Sequence, residues 1–186
     1  MSIIKDGSGT GRTLRVNEEN RADVEAISRP IEQHINELYE KYFSLPFDAI
    51  DPVGADDYFF YLKNTGTKNL HITDLRARST VAGTIEWHGV TGTPSFTSDT
   101  DITPVNRTLG SSQTLIATAK TDTNTTGLTS TGVLFYQRLD TANEGEHIRT
   151  SGHIIMKPGQ AMALSWDTAT GALSGVLSVY EDQGVT

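Results

Sequence analysis

The sequence predicts an all-β fold: a jelly-roll-like antiparallel β-sandwich with an extended N-terminal arm and one short helix. Three observations predict it. From about residue 55 onward, apolar residues recur with a period of two. About eight such runs are separated by turn signals, which suits a sandwich or barrel. Only one stretch repeats apolar residues at helical spacing. The chain has 186 residues. A domain of that size buries roughly 70% of its unfolded surface, enough for a core without cross-links.

Residues 1–29 read as an extended arm or small hairpin. Asp6-Gly7-Ser8-Gly9-Thr10-Gly11 is turn-rich, and Arg12-Thr13-Leu14-Arg15-Val16 alternates as a half-exposed strand does. Asn17-Glu18-Glu19-Asn20 is a turn, and Ala22, Val24 and Ala26 share one face of a return strand. Residues 30–45 read as helix and linker. Pro30 suits a first turn, and Ile31, Ile35, Leu38 and Tyr42 form one apolar stripe, a candidate subunit-interface helix that Pro46 stops.

Residues 46–186 form the predicted sandwich. Tyr58, Phe60 and Leu62 share a strand face; Leu70 and Ile72 begin the next strand, where Asp74 breaks the alternation. Val81, Ile85 and Trp87 share a third face, and Leu115, Ala117 and Ala119 a fourth. Further strands are predicted through Val133, Phe135 and Gln137, from His147 to Met156, through Met162, Leu164 and Trp166, and from Leu173 to Tyr180. Residues 88–113 and 120–131, crowded with Thr, Ser, Gly and Asn, read as long exposed loops suited to touching a partner.

Composition narrows the function. Cysteine is absent, which removes disulfides, thiolate metal sites and cysteine nucleophiles. A net charge of −8 argues against a nucleic-acid partner. Met1 to Gly7 holds no apolar run of signal-peptide or membrane-span length, so assembly in a reducing cytoplasm is expected, with no membrane partner.

No catalytic, cofactor-binding or metal-binding constellation is expected. The glycine-rich opening lacks the Gly-Lys-Ser/Thr ending of a P-loop. No His-x-His pair occurs, and on a regular strand His147 and His153 stand about 20 Å apart. His71 and His88 lie on different segments. The acid pairs Asp99/Asp101, Asp56/Asp57 and Glu144/Glu146 read as solvated loop acids, and the Asp99 loop lacks the spacing of a calcium motif. Trp87 and Trp166 share strand parity with apolar neighbours and are expected in the core.

The order of short motifs along nearly the whole chain resembles small virion structural proteins of tailed phages. The likeness begins with Ile4-Lys5-Asp6-Gly7-Ser8-Gly9-Thr10-Gly11 and Val16-Asn17-Glu18-Glu19-Asn20-Arg21. It continues at Tyr61-Leu62-Lys63-Asn64, Asn69-Leu70-His71-Ile72-Thr73, Leu109-Gly110-Ser111-Ser112-Gln113-Thr114-Leu115 and Lys157-Pro158-Gly159-Gln160. The resemblance implies a phage particle and no catalytic residues. Many such proteins are capsid decoration or cement proteins, others tail or fibre components.

The expected role is therefore a capsid decoration protein on the virion surface, with the major capsid protein and further copies of itself, as a homotrimer, for partners. Lys5, Arg12 and Arg15 make the first sixteen residues locally basic, which suits anchoring on an acidic capsid. A tail, neck or fibre component and a host-glycan-binding module using the threonine-rich loops are the alternatives.

Overall fold

The computed structural model of the chain describes residues 3–5, 13–15, 31–140, 142 and 145–182. Residues Met1–Pro30 form one unit and Ile31–Thr186 another. In the first unit β1 (Ile3–Lys5) pairs antiparallel with β2 (Thr13–Arg15), Ile4 opposite Leu14. The expected strand around Leu14 is present, but its partner precedes it. The return strand expected at Ala22, Val24 and Ala26 lies outside the described residues.

The second unit opens with α1 (Ile31–Tyr39) and continues as β3 (Tyr42–Ile50), β4 (Asp57–Asn64), β5 (Leu70–Ser79) and β6 (Gly83–Ser95). Two short strands follow, β7 (Thr100–Asp101) and β8 (Val105–Asn106). The last four are β9 (Ala117–Leu139), β10 (Gly145–Met156), β11 (Ala161–Trp166) and β12 (Leu173–Glu181).

One sheet has the order β10-β5-β12-β3-β8 and the other β4-β11-β6-β9-β7. Counting only the eight long strands from first to eighth, the sheets read 6-3-8-1 and 2-7-4-5. That is the order in which two Greek keys roll into a jelly roll. The core between the sheets takes Phe43, Leu45 and Phe47 from β3, Leu75 from β5 and Leu177 from β12 on one side. Phe60, Leu62, Trp87, Leu164 and Trp166 face them, and both tryptophans are fully buried.

The helix is shorter than the sequence stripe. Glu40 adopts a positive φ of 53°, its N–H bonds the Asn36 carbonyl, and Asn106 Nδ2 donates to the Glu40 carbonyl. This left-handed cap ends α1 before Tyr42, which is the first residue of β3 and not the last of a helical stripe. Ile35 still meets Tyr42, because both pack with Tyr180. Leu38 remains 55% exposed. Pro46 lies inside β3, beyond the stretch that β8 covers, an edge position where a missing N–H is tolerated.

Residues 120–131 are not a loop but the middle of the 23-residue β9, and residues 88–95 extend β6. Threonine is β-branched and suits a strand, yet a strand gives a period-two signal only when one face is apolar and buried. The first part of β9 pairs with β4, Tyr58 opposite Thr125, and the second with β6, Ser95 opposite Thr126. The pairing therefore closes through β4, β11, β6 and β9. A second apolar cluster of Tyr61, Val90 and Ala163, with Phe96 and Leu128 packed on it, lies on the side of this sheet away from the main core. Gly92 and Gly127, both with positive φ, make the close approach there: a Cβ on Gly92 would meet the Gly127 carbonyl oxygen at 2.5 Å.

Candidate interaction surfaces

The break in alternation at Asp74 has a structural cause. A bulge between the Asp74–Ser178 and Ile72–Val179 pairs leaves Thr73 as the extra residue and turns Asp74 to the outer sheet face. There Asp74 collects donors. Ser178 Oγ reaches its Oδ1 at 3.1 Å, Thr73 Oγ1 its Oδ2 at 3.3 Å, and the Tyr42 hydroxyl its Oδ2 at 3.5 Å. His147 Nε2 lies 3.5 Å from Oδ1. Arg107 stacks over the Tyr42 ring at 4.2 Å and donates to Ser44 Oγ and Ser178 Oγ.

Asn106 holds this corner, accepting from the Thr108 N–H and donating to the Glu40 carbonyl. A groove of about 410 Å³, lined by Arg76, Arg78, Glu146 and His147 among others, lies beside the network. It carries charges of both signs.

A second network centres on His88, which is buried on the opposite sheet. Its Nδ1 lies 3.0 Å from Ser130 Oγ, and its Nε2 lies 3.1 Å from Ser165 Oγ and 3.3 Å from Glu86 Oε2. Burial pushes the imidazole below its ordinary pKa, while the Glu86 carboxylate pulls in the other direction. Serine, histidine and glutamate in sequence resemble a nucleophilic relay. The Gly132 N–H donates to Ser130 Oγ. The network joins β6, β9 and β11.

The acidic pair Asp99/Asp101 is bridged by Lys120, which also lies over the Phe96 ring. Asp122 is buried, which opposes ionisation. The N–H groups of Thr97, Ser98 and Thr123 and the Ser98 hydroxyl outweigh that, leaving its carboxyl below the ordinary value. Among the described residues, no three His, Asp or Glu side chains gather as a metal ion requires.

Several large apolar side chains are exposed. Val133, Leu134, Phe135 and Tyr136 of β9 lie on the β4-β11-β6-β9-β7 sheet, Tyr136 being 61% exposed, and Ile155 lies on β10, the edge strand of the other sheet. A bulge between Phe135–Trp87 and Val133–His88 makes Leu134 the extra residue, which disturbs strand parity. Leu134 and Ile155 border a cavity of about 470 Å³ whose walls include Tyr61, Lys63 and Val90. Residues 123–137 are all uncharged.

At the β8 edge, Leu38 and Tyr39 of α1, Val105 of β8 and Leu109 are exposed, Leu109 at 93%. Thr108 Oγ1 lies within hydrogen-bond reach of Asn36 Oδ1 at 3.0 Å and of the Asn36 carbonyl at 3.4 Å, tying the 105–109 segment to α1.

Of the residues singled out from sequence, Lys5 and Arg15 lie on β1 and β2, opposite Thr13 and Ile3. Arg12, and the side chains of Lys5, Arg15 and Ile31, lie outside the described residues. Sequence reasoning missed Arg107, Ser178, Ser130 and Ser165; of these sites only the broken alternation at Asp74 left a signal. The chain matches no protein-family model, no curated protein and no solved structure.

Proposed function

We propose that this chain is a virion structural protein of a tailed phage, a decoration or cement protein bound to the major capsid protein. The observation that carries the reading is a jelly roll with large apolar side chains exposed on β9 and β10 and again on α1, β8 and Leu109, on a chain of net charge −8. Exposed apolar patches on a charged protein are suited to assembly. The motif order described above supports a phage particle. The separate N-terminal unit, with Lys5, Arg12 and Arg15, supports an anchor on an acidic shell. The reading assigns the chain no reaction and no cofactor.

The test is the copy number of the chain in purified virions, by quantitative mass spectrometry against the major capsid protein. A ratio approaching one per capsid subunit is expected. A ratio of a few percent would move the chain to the tail or neck. Its absence from particles would end the reading.

A further inference from the structure

We propose that the groove formed by β10, β5 and β12 binds a small carboxylic acid with an apolar body, its carboxylate pairing with Arg78. The site goes beyond the assembly reading above and does not depend on it.

The strand register builds the groove. Two rows of side chains cross the outer face of the sheet: His147, Arg76 and Val176 in one, Gly145, Arg78 and Ser174 in the next. The intervening residues Leu75, Ala77, Leu173 and Leu177 belong to the core, which puts both arginines on the outer face. Arg78 therefore stands between a glycine on one side and a serine on the other, and the space beside it stays open. A Cβ on Gly145 would meet only the Ala77 carbonyl oxygen, at 4.0 Å. The resulting volume of about 410 Å³ is that of a small-molecule site.

Charge selects the ligand. Arg78 is exposed and has no ion-pair or hydrogen-bond partner among the described residues. Its neighbours are engaged. Arg76 Nε lies 4.0 Å and His147 Nε2 3.5 Å from Asp74 Oδ1, and Ser174 Oγ donates to Asp48 Oδ1 at 2.6 Å. The other acid of the lining, Glu146, sits opposite Ala77 and so has the parity of the core positions, not of the arginines. A free guanidinium presents a planar fork of N–H donors, which a carboxylate matches with two parallel hydrogen bonds. Arg76, two residues away and about 7 Å along the strand, adds positive charge on the same face.

The walls select the rest of the ligand. Val176, Gly145, Gly175 and the aliphatic stems of both arginines offer carbon. A carboxylate on a hydrocarbon or aromatic body matches such walls, whereas a sugar or a bare phosphate would leave oxygens against them unmatched.

The experiment is calorimetric titration of the full-length chain with benzoate, benzamide and inorganic phosphate. Benzoate should bind saturably, in the millimolar range, and shift the amide NMR signals of Gly145 and His147. Benzamide keeps the ring without the charge, phosphate the charge without the ring, and both should bind far more weakly. Arg78→Gln should weaken benzoate binding about tenfold, the loss of one charge-assisted pair. Gly145→Leu should abolish it by filling the groove. Both positions are exposed, and the fluorescence of the buried Trp87 and Trp166 reports that each variant is folded. Arg78→Lys, which keeps the charge and loses the fork, stands in for a variant that does not fold and should bind with intermediate strength.

No saturable benzoate binding would overturn the proposal, as would benzoate binding that Arg78→Gln leaves unchanged. Benzamide or phosphate binding as tightly as benzoate would overturn the ligand class. A chain that binds benzoate yet is missing from virions sinks the assembly reading alone.

Discussion

Ser178 Oγ donates to Asp74 Oδ1 at 3.1 Å across the β5–β12 pair, on the sheet face away from the main core. Both residues are buried, and the same carboxylate accepts from Thr73 and Tyr42. Removing this acceptor is costly because Ser178 Oγ loses it out of reach of water, whereas Thr73 Oγ1 can turn to the Ser178 carbonyl at 3.1 Å and the Tyr42 hydroxyl stays 3.1 Å from Thr73 Oγ1. Asp74→Ala should lower stability by about 1–3 kcal/mol, and Asp74→Asn, which keeps one acceptor oxygen, by less. Urea denaturation checks this; an unchanged midpoint for Asp74→Ala would refute it.

The two tryptophans predict a contrast. Trp166 Nε1 donates to the Thr170 carbonyl at 3.0 Å, whereas Trp87 Nε1 is buried with no hydrogen-bond partner among the described residues. Replacement by Phe removes similar volume at both sites but breaks a hydrogen bond only at Trp166. Trp166→Phe should therefore cost more than Trp87→Phe, by about 1 kcal/mol. Equal thermal shifts would contradict the assignment.

Gly92→Ala tests the close approach of β6 to β9. The added Cβ would meet backbone, not a flexible side chain, and at a positive φ of 102°. The loss should be about 1–3 kcal/mol or more. Gly110→Ala also has positive φ but nothing within 4 Å, so it should cost less. Comparing the two melting curves separates collision from backbone strain.

Stability should fall with acidity in two steps. His88 has a lowered pKa, so its neutral form is favoured by folding. That contribution is intact above the ordinary histidine value of about 6.5 and declines as pH falls from there toward the folded value. Asp122 is shifted down as well and the sign is the same, because the folded state again binds fewer protons: its stabilisation is present above the ordinary carboxylate range and is lost as pH falls through the folded value. His88→Gln should flatten the upper step and Asp122→Asn the lower. Chemical denaturation across pH reads both; a His88→Gln profile parallel to the parent's would disprove the first.

The fold was legible where one strand face is buried and apolar. Phe60 and Leu62, Ile85 and Trp87, and Leu164 and Trp166 kept their predicted parity and lie in the core. Parity failed at bulges. Phe59 is the extra residue of β4, so Tyr58 leaves the face of Phe60 and joins the cluster of Tyr61. The middle of β9 was illegible because its threonines alternate with nothing apolar, and Tyr42 because its spacing from Leu38 fits a helix that Glu40 ends. The exposed apolar residues of β9 were illegible for a related reason: Val133 and Phe135 read as one core-facing face, and only the bulge at Leu134 and the lack of a covering strand bring them to the surface. His88 and its two serines are 42 and 77 residues apart, a distance that no local pattern spans.

The double use of β9 ties two parts of the molecule together. Thr125 is the neighbour of Tyr58 on β4 and Thr126 the neighbour of Ser95 on β6. A pull that reaches β4 is therefore passed along one continuous backbone to β6. Neither strand can be peeled away alone, because the first to leave must carry the other's neighbour with it. Under an applied pull such a strand acts as a tie-rod, sharing a local strain between β4 and β6.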